Sequence, residues 1–481
     1  IALGVLELKR GTVAIEEGIR QNITNQQEGL IQPFFSTVQF TFAGNESQGL
    51  KYGTIGTPEK FYQSWKEDIE DNSRLELYKY LIKMCDKERF LDIIYNCVLF
   101  DGGIKKLPRV HQYFGLKASQ EHVKERKGGI IWHTQGSGKS ILMVMLAKWI
   151  LENNSNARIA IITDRDELDK QIESVFKTAG EKIHRTKSGR DLLKQLKEPS
   201  PRLLCSLVHK FGRKDEINFN QFIKDLEENT PEVSGELFVF VDECHRTQSG
   251  KLHKVMKTIL PNAVFIGFTG TPLLKKDKQT SFEVFGKYIH TYKFNEAVKD
   301  GVVLDLVYEA RDIDQRISSP KKIDEWFENK TKDLNEFQKS ELKKKWGTMQ
   351  KVTSSRSRME EIKKDIIYDF SRGGSRLSSQ RGNAILVASS IYQACKYYHL
   401  FQGTSMKDHC AIVTSYNPQT RDIVTEDTGE NTETEKEFMY NTYMELLNGK
   451  ETEQYEDWAK LKFKKEPAKM KLLIVVSKLL T

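Results

Sequence analysis

The chain has 481 residues, of which 38% are hydrophobic and 30% charged, and no apolar run approaches the roughly 18 residues of a membrane-spanning helix. This composition is typical of a soluble globular protein and predicts no membrane partner, while the length predicts about three domains rather than one core. The 75 basic and 67 acidic residues leave a net charge of +8, which permits a polyanionic partner without demanding one.

The N-terminal segment is predicted to be the stub of a small α/β domain. Val5 to Lys9 has the pattern of a strand, and Val13 to Asn25 that of a helix, in which Ile15 and Ile19 lie four positions apart. Further helical patterns lie around residues 61–70 and 75–83.

From about residue 107 to 294, apolar strands alternate with helical stretches. Such alternation predicts a parallel sheet covered by helices. The predicted strands are Gly129 to Trp132, Ala157 to Thr163, Arg202 to Leu207, Leu237 to Val241 and Val264 to Phe268.

The first of these strands runs into a glycine-rich turn that ends in Lys139-Ser140, which is typical of a phosphate-binding loop. Gly136, Ser137 and Gly138 can direct backbone N–H groups at phosphate oxygens, Lys139 supplies a positive charge, and the Ser140 hydroxyl can ligate Mg²⁺. The next segment is predicted to be a helix, whose N-terminus favours an anion. We therefore predict a nucleoside triphosphate site; the alternative is a glycine-rich turn with no ligand.

Two later strands end in residues that complete such a site. Asp242 and Glu243 follow Leu237 to Val241, where an aspartate can hold the metal through its shell and the adjacent acid can orient or deprotonate the attacking water. Thr269 and Thr271 follow the next strand and carry hydroxyls that could sense the γ-phosphate. Each motif alone could be a loop cap or a turn, so the prediction depends on their combination.

A second alternating region begins near residue 297. Its candidate strands are residues 302–309, 383–388, 410–413 and 471–476, with a polar, basic, helical insertion over 321–364 and an exposed loop over 425–435. Two α/β lobes with the nucleotide loop in the first would let ATP hydrolysis move one lobe against the other. Basic clusters near residues 343, 356 and 462 are either phosphate contacts or solvated helix faces.

The spacing of the cysteines indicates the redox state of the compartment in which the protein works. Six cysteines, at positions 85, 97, 205, 244, 395 and 410, form no Cys-x-x-Cys pair and no cysteine–histidine spacing suited to zinc. They are interpreted as free thiols in a reducing compartment, so we expect a cytoplasmic protein. The chain begins without an initiator methionine or signal peptide, and it is interpreted as a fragment cut at both ends.

Together these motifs resemble the restriction, or motor, subunit of type I restriction–modification enzymes, within the superfamily 2 helicase-like translocases. The matching segments are 132–140, which carries a histidine at position 133, then 163–169, 242–246, 268–272 and 285–303. The resemblance implies two RecA-like parallel-sheet motor lobes preceded by part of a restriction-endonuclease-like α/β nuclease domain. The expected divisions are 1–100 for the nuclease part, 101–295 for the first lobe and 296–481 for the truncated second lobe.

The resemblance also gives a role to the N-terminal strand. Glu7-Leu-Lys9 looks like the Glu-x-Lys half of a metal-dependent nuclease core, in which Glu7 would ligate Mg²⁺ and Lys9 would steer the attacking water. A Glu-x-Lys triplet alone is common on surface strands. Gln21 matches the family's DNA-positioning glutamine, whereas Asn25 stands where the family has a tyrosine, and the aspartate that completes the metal site is not in this sequence.

Upstream of the phosphate loop, Arg109-Val-His-Gln112 resembles the family's adenine-reading element. Gln112 can offer both a donor and an acceptor to an adenine edge. The family's arginine motif in the second lobe lies beyond Thr481, and Lys478 to Thr481 looks like the start of the motif before it.

The resemblance implies an ATP- and Mg²⁺-dependent enzyme that translocates duplex DNA and cuts it with its nuclease domain. It also implies that methyltransferase and specificity subunits are separate partner polypeptides. Two alternatives remain: a nucleic-acid helicase or remodeller without nuclease activity, and a nucleotide-gated binding module without turnover.

Overall fold

A computed structural model describes residues 1–67, 75–101, 103–163, 183–186, 189–207, 233–244, 260–271, 285–311, 356–373, 381–414, 416–419 and 433–476, with a few single positions between these ranges. The chain divides into two compact units, residues 1–307 and 308–481. Within the described ranges, no helix is both long and apolar enough to cross a membrane. All six cysteines are free thiols, as predicted, and all except Cys85 are buried.

The first unit begins with a four-stranded sheet, β1 (Gly4–Leu8), β2 (Phe40–Asn45), β3 (Gly49–Gly53) and β4 (Gln63–Ser64), in the order β1-β2-β3-β4. Strand β1 is parallel to β2, and the later pairs are antiparallel. Helix α1 (Ile15–Asn25) packs on β1 and β2. Gly18 allows this close approach, because a Cβ there would lie 3.2 Å from the Cβ of Ala43.

Short elements connect this sheet to the next. They are helical turns at Gln32–Thr37, Glu59–Phe61 and Ile93–Cys97, helices α2 (Glu76–Met84) and α3 (Lys87–Asp92), and the hairpin β5 (Leu99–Asp101) with β6 (Ile104–Lys106). The helical pattern predicted at 61–70 is wrong over its described part, where β4 pairs with β3. Sheet pairing there overrides the local helical periodicity.

The second sheet has seven strands, all parallel, in the order β13-β7-β12-β11-β8-β10-β9. The strands are β7 (Gly129–His133), β8 (Ala157–Thr163), β9 (Ile183–Thr186), β10 (Leu203–Leu207), β11 (Glu236–Val241), β12 (Val264–Thr269) and β13 (Tyr288–Tyr292). This confirms the predicted parallel sheet. Every residue of β8 and of β12 is buried, which is typical of a sheet covered on both faces.

Alternate residues of these strands supply two separate cores. Ile159 and Ile161 of β8 belong to the core that includes α5 (Lys139–Asn153), whereas Ala160 and Ile162 belong to the core on the opposite face with α6 (Gly189–Lys197). The period of two follows from strand geometry. The sheet is therefore packed on both faces, which fixes the strand ends from which the motif loops begin.

The N-terminal sheet and the seven-stranded sheet share one hydrophobic core. Trp65 lies between Tyr52 of β3 and Tyr113 of α4 (Val110–Lys124), with ring centroids 5.9 Å and 5.8 Å away. The core runs on from these rings into α5 and the central strands. A division at residue 100 therefore does not separate two cores.

The predicted boundary at 295/296 also differs from the structure, in which the first unit extends to Val307. Helix α7 (Phe294–Lys299) follows β13 directly, and Val302 N–H donates to Ala297 O over 2.8 Å. The strand predicted over 302–309 does not form; Leu304, Leu306 and Val307 are exposed and pair with no described strand. Their apolar pattern lacks the neighbouring strand that would make it part of a sheet.

The second unit contains a parallel sheet, β14 (Ala384–Ala388), β16 (Leu472–Val476) and β15 (Cys410–Val413), in that spatial order. These strands confirm the three later predictions. The described helices are α8 (Arg356–Ser371), α9 (Ile391–Gln402), α10 (Glu433–Leu447) and α11 (Thr452–Lys465). Most of the predicted 321–364 insertion and 425–435 loop, and the motif segments at 164–169, 245–246 and 478–481, lie outside the described residues.

Candidate functional site

Three adjacent strands bring the predicted nucleotide motifs to one sheet edge. Strand β12 lies between β7, which leads into the glycine-rich loop, and β11, which leads into Asp242 and Glu243. Because the strands are parallel, their carboxyl ends meet at the same edge, where open α/β sheets bind ligands. This arrangement could not be read from any one motif.

The glycine-rich loop connects His133 to the start of α5 at Lys139. Gly136 and Gly138 have φ values of 80° and 88°, which favour glycine over any residue with a Cβ. Gly138 is the N-cap of α5, so the first N–H groups of that helix lack intrahelical acceptors and can bind an anion. The Ser137 hydroxyl and the Ser137 N–H both donate to Thr134 O inside the loop, over 2.5 Å and 3.2 Å.

Asp242 and Glu243 are buried at the end of β11, with 8% and 4% of their surface exposed. Glu243 has φ 47°, a left-handed conformation that is uncommon for residues other than glycine and often marks a functional site. Its Oε2 atom accepts from Gly270 N–H at 3.4 Å. This contact joins the carboxylate to the turn that follows β12.

That turn also reaches the phosphate loop. A Cβ at Gly270 would lie 2.7 Å from Lys139 Nζ and 3.4 Å from Gln135 N, so the turn lies directly against the loop. Thr269 Oγ1 accepts from Thr271 N–H at 3.3 Å. The structure thus brings together Lys139, Glu243 and the 269–271 turn, while their individual catalytic roles remain predictions.

Gln112 lies in the first turn of α4, with both ends of its amide engaged by backbone. Its Oε1 accepts from Arg109 N–H at 2.8 Å, and its Nε2 donates to Gly138 O at 2.9 Å. The side chain is buried, so in this structure Gln112 supports the phosphate loop. Adenine reading by Gln112 stays a prediction and would require these bonds to exchange.

Sequence reasoning missed two histidines at this site, His111 and His290. His111 Nε2 lies 2.8 Å from Ser137 O, and His133 Nε2 lies 2.8 Å from His290 Nδ1. Burial lowers the pKa of His111 to about 3 and lowers the pKa values of His133 and His290, so all three are neutral near pH 7. These residues are distant in sequence, and only the strand order reveals that they meet.

A cavity of about 1690 Å³ opens beside the phosphate loop within the first unit. Its volume exceeds the ~300–1,000 Å³ of common ligand pockets, so it can admit a nucleotide. Gly136, Gly138 and Gln112 form part of its wall. Among the described residues, the basic lining side chains outnumber the acidic ones: Lys51, Lys60, Lys66, Lys105, Lys106, Arg109 and Lys299 against Glu67, Glu76, Glu296 and Asp300.

The predicted nuclease residues also lie together, on β1 and the facing side of α1. Lys9 Nζ donates to Gln21 Oε1, and Asn25 Nδ2 lies 3.4 Å from Glu7 Oε1. The helix residue in the position of the family's tyrosine thus contacts the predicted metal ligand. Within the described part of the chain, no group of three His, Cys, Asp or Glu side chains is placed to hold a metal ion.

Comparison with known proteins gives two family matches. The SWI2/SNF2 ATPase family matches residues 111–340, and the family described as type I restriction enzyme subunit R domain 3 matches residues 380–481. The first stretch covers the nucleotide motifs, and the second, which begins 40 positions after the first ends, covers the three-stranded sheet of the second unit.

Curated relatives agree with these matches. The chain is 30% identical over 377 residues to the type I restriction enzyme HindI endonuclease subunit of Haemophilus influenzae, covering 71% of this chain and 34% of the relative. It is 24% identical over 427 residues to the type I restriction enzyme SauCOLORF180P endonuclease subunit of Staphylococcus aureus, covering 84% and 41%. A solved fragment assigned to an HsdR subunit of a type I restriction enzyme from Vibrio vulnificus is 14% identical, with TM-score 0.46, covering 99% of this chain and 71% of that one.

The parallel sheet, the loop geometry and the SWI2/SNF2 ATPase match define an α/β protein with the helicase-like fold of superfamily 2. With the second family match and the curated relatives, the assignment narrows: the chain belongs to the R-subunit family of type I restriction enzymes. It spans between 34% and 41% of the length of these two relatives.

Proposed function

We propose that this chain is the motor and nuclease part of an ATP-dependent type I restriction endonuclease, which translocates duplex DNA and cuts unmodified DNA away from its recognition site. The observation that carries the proposal is the convergence of Lys139, Glu243 and Gly270 at one sheet edge. This is the arrangement in which a phosphate loop, a water-orienting acid and a coupling turn can act on one phosphate.

The residues at this edge fit ATP and Mg²⁺. The N–H groups of Gly136 and Gly138 and the Lys139 ammonium would bind the phosphates, and the Ser137 N–H would join them by exchanging its bond to Thr134 O. Ser140 and Asp242 would hold Mg²⁺. When bound, Mg²⁺ supplies positive charge that offsets charge developing on the transferred phosphoryl group. Glu243 would orient the attacking water.

The turn after β12 would couple nucleotide state to movement. Thr269 and Thr271 are predicted to sense the γ-phosphate, and support comes from the contact of Gly270 N–H with Glu243 and its closeness to Lys139. Loss of the γ-phosphate would remove a hydrogen-bond partner of the Thr269 and Thr271 hydroxyls. The turn could then shift, and the shift would transmit hydrolysis to the rest of the lobe.

The nuclease role is assigned to Glu7 and Lys9, with Gln21 as a DNA contact. Glu7 would be one Mg²⁺ ligand, Lys9 would stabilise charge on the scissile phosphate, and Gln21 orients Lys9 through their hydrogen bond. Because the described residues hold no three-ligand group, the metal would need further oxygen ligands, including the DNA phosphate.

Double-stranded DNA is the proposed substrate, with methyltransferase and specificity subunits as partners. Support for a multisubunit enzyme comes from the relatives, which are named endonuclease subunits of type I restriction enzymes. Backbone contacts should dominate DNA binding by the motor, so affinity should fall steeply with salt and depend little on sequence.

A second candidate is a DNA remodeller or helicase without nuclease activity. The SWI2/SNF2 ATPase match favours it, and so does the lack, among the described residues, of a group of three side chains placed to hold a metal ion. Strand cleavage by the full-length protein with its partner subunits separates the two: cleavage supports the nuclease, and translocation without cleavage supports the remodeller.

DNA-stimulated ATP hydrolysis tests the nucleotide site. The full-length protein with its methyltransferase and specificity subunits should hydrolyse ATP, and Lys139→Ala should abolish this activity. Lys127→Ala is the matched control, because Lys127 is an exposed lysine that pairs with Glu125. Near-normal turnover by Lys139→Ala would show that the phosphate site is wrongly assigned.

A further inference from the structure

Three histidine rings pack against one another directly behind the phosphate loop. The ring centroids of His111 and His133 are 5.3 Å apart, and those of His133 and His290 are 5.0 Å apart. Tyr292 closes the group by stacking on His111 at 3.8 Å with an interplanar angle of 6°. The group joins the start of α4, the end of β7 and strand β13.

The hydrogen bonds of this cluster fix its protonation. Ser137 O can only accept, so His111 Nε2 must carry a hydrogen. The 2.8 Å contact between His133 Nε2 and His290 Nδ1 needs one hydrogen between two nitrogens, so a doubly protonated pair would set two N–H groups against each other. Arg109 and Lys139 disfavour further positive charge, and Glu296 near His290 is the opposing acid.

His111 and Gln112 both contact carbonyl oxygens of the phosphate loop, and these contacts bear on the direction of the N–H groups that follow. In a trans peptide the C=O and the following N–H point to opposite sides. Because His111 holds Ser137 O towards α4, the Gly138 N–H is turned away from α4. Gly138 O accepts from Gln112 and also from the Ile141 and Leu142 N–H groups of α5, and these bonds together set the direction of the Lys139 N–H.

His133 and His290 support the start of the phosphate loop. His133 is the last residue of β7, and Thr134 N–H next to it donates to Tyr292 O over 2.9 Å. The His133 ring rests on α4, since a Cβ at Gly115 would lie 3.1 Å from His133 Cε1. Within the described structure His133 Nδ1 is buried without a hydrogen-bond partner, a cost that favours a positional role over a purely stabilising one.

We propose that His111, backed by His133 and His290, is a positioning residue that pre-orients the Gly138 N–H group for the phosphates of ATP. The proposal rests on the nucleotide site proposed above. It assigns a function to the histidine that replaces the first glycine of the usual loop pattern: His133 ties the loop to β13 through His290, and β13 leads into α7.

The test uses the full-length enzyme with its partner subunits and measures KM for ATP and kcat of DNA-stimulated hydrolysis. His111→Leu removes the donor at similar size and should raise KM about tenfold, the effect of one lost hydrogen bond, with kcat within about twofold. His111→Gln places an amide N–H near the position of Nε2 and should restore most of the loss. His122→Gln is the control, because His122 lies on the same helix and contacts Gly128 O instead of the loop.

Gly115→Ala provides a second route that removes no hydrogen-bonding group. A Cβ there would lie 3.1 Å from both the His133 ring and Leu142 Cδ2, so the ring should shift and KM for ATP should rise by more than any loss of thermal stability accounts for. An unchanged KM in both His111→Leu and Gly115→Ala, with Lys139→Ala inactive, would overturn the inference and leave the nucleotide site intact. Equal losses of kcat and thermal stability without a KM effect would assign the histidines a purely structural role, which also overturns it. Full activity of Lys139→Ala would instead refute the nucleotide site itself.

Discussion

Gln112 and Gly138 are joined by a hydrogen bond of 2.9 Å from the Gln112 side-chain amide to the Gly138 carbonyl oxygen. Helix α4 therefore reaches the phosphate loop from the side opposite to β12. A Cβ on Gly138 would lie 2.4 Å from Gln112 Nε2 and would also strain a backbone with φ 88°.

Gly138→Ala should consequently abolish ATP turnover, because either the loop or Gln112 must move. Equilibrium binding of a fluorescent ATP analogue would measure the loss of nucleotide affinity, and we expect the Kd to rise more than tenfold. Gly373→Ala is the control, since a Cβ at Gly373 meets nothing within 4 Å. Wild-type affinity in Gly138→Ala would show that the loop does not bind the phosphates in this conformation.

Glu243→Gln should separate ATP binding from hydrolysis. The amide keeps an acceptor for Gly270 N–H but cannot take a proton from water, and general-base contributions are about 10²–10⁴-fold. We expect kcat to fall at least ~100-fold with little change in ATP affinity. Single-turnover hydrolysis and nucleotide binding measure the two effects, with exposed Glu121→Gln as the control. A variant with normal kcat would assign the water-orienting role elsewhere.

Lys9→Ala should abolish DNA cleavage and leave ATP turnover unchanged, because Lys9 directly follows β1 and contacts Gln21 of α1, away from the phosphate loop. Conversion of supercoiled plasmid to nicked and linear forms provides the measurement, alongside ATP hydrolysis in the same reaction. Lys83→Ala, on exposed α2 surface, is the control. Undiminished cleavage by Lys9→Ala would show that Lys9 has no role in the nuclease and would favour the alternative of a remodeller or helicase with an inert N-terminal strand.

Acid should destabilise the first unit through its buried histidines. The pKa of His111 is about 3 in the folded protein and near 6.5 when unfolded, so the unfolded state binds more protons between these values. The stability from neutral His111 is complete above pH 6.5 and is lost progressively as the pH falls towards 3. Between pH 7.5 and 5.5 the wild type should lose about 1 kcal/mol more stability than His111→Leu. Urea unfolding at both pH values measures this difference, and equal losses in the two proteins would contradict the neutral burial of His111.

Much of the motor sheet could be predicted from sequence because its strands are apolar and end in residues with specific chemistry. Ala157–Thr163 was predicted with its observed bounds, and the strands around Asp242 and Thr269 to within one residue. The antiparallel strands β2 and β3 were not predicted, since their aromatic and glycine-rich sequence becomes a sheet only by packing against Trp65 and α1.

The support around the site was less predictable than its central residues. Lys139 and Glu243 belong to local motifs, whereas the contact of His133 with His290 depends on β13 pairing with β7. The role of Gln112 in holding the loop likewise follows from the angle of α4, which no local pattern specifies. At 302–309 a strand was predicted that does not form, because the strand-like pattern pairs with no strand in the described part of the chain and its apolar side chains stay exposed.

Displacement of a third strand from duplex DNA tests the central claim most directly. The full-length chain with its methyltransferase and specificity subunits is given ATP and a DNA whose third strand lies away from the recognition site. We expect displacement by wild type and by Lys127→Ala, and none by Lys139→Ala. Displacement that persists in Lys139→Ala, or wild-type ATP hydrolysis with no displacement, would contradict an ATP-driven duplex translocase.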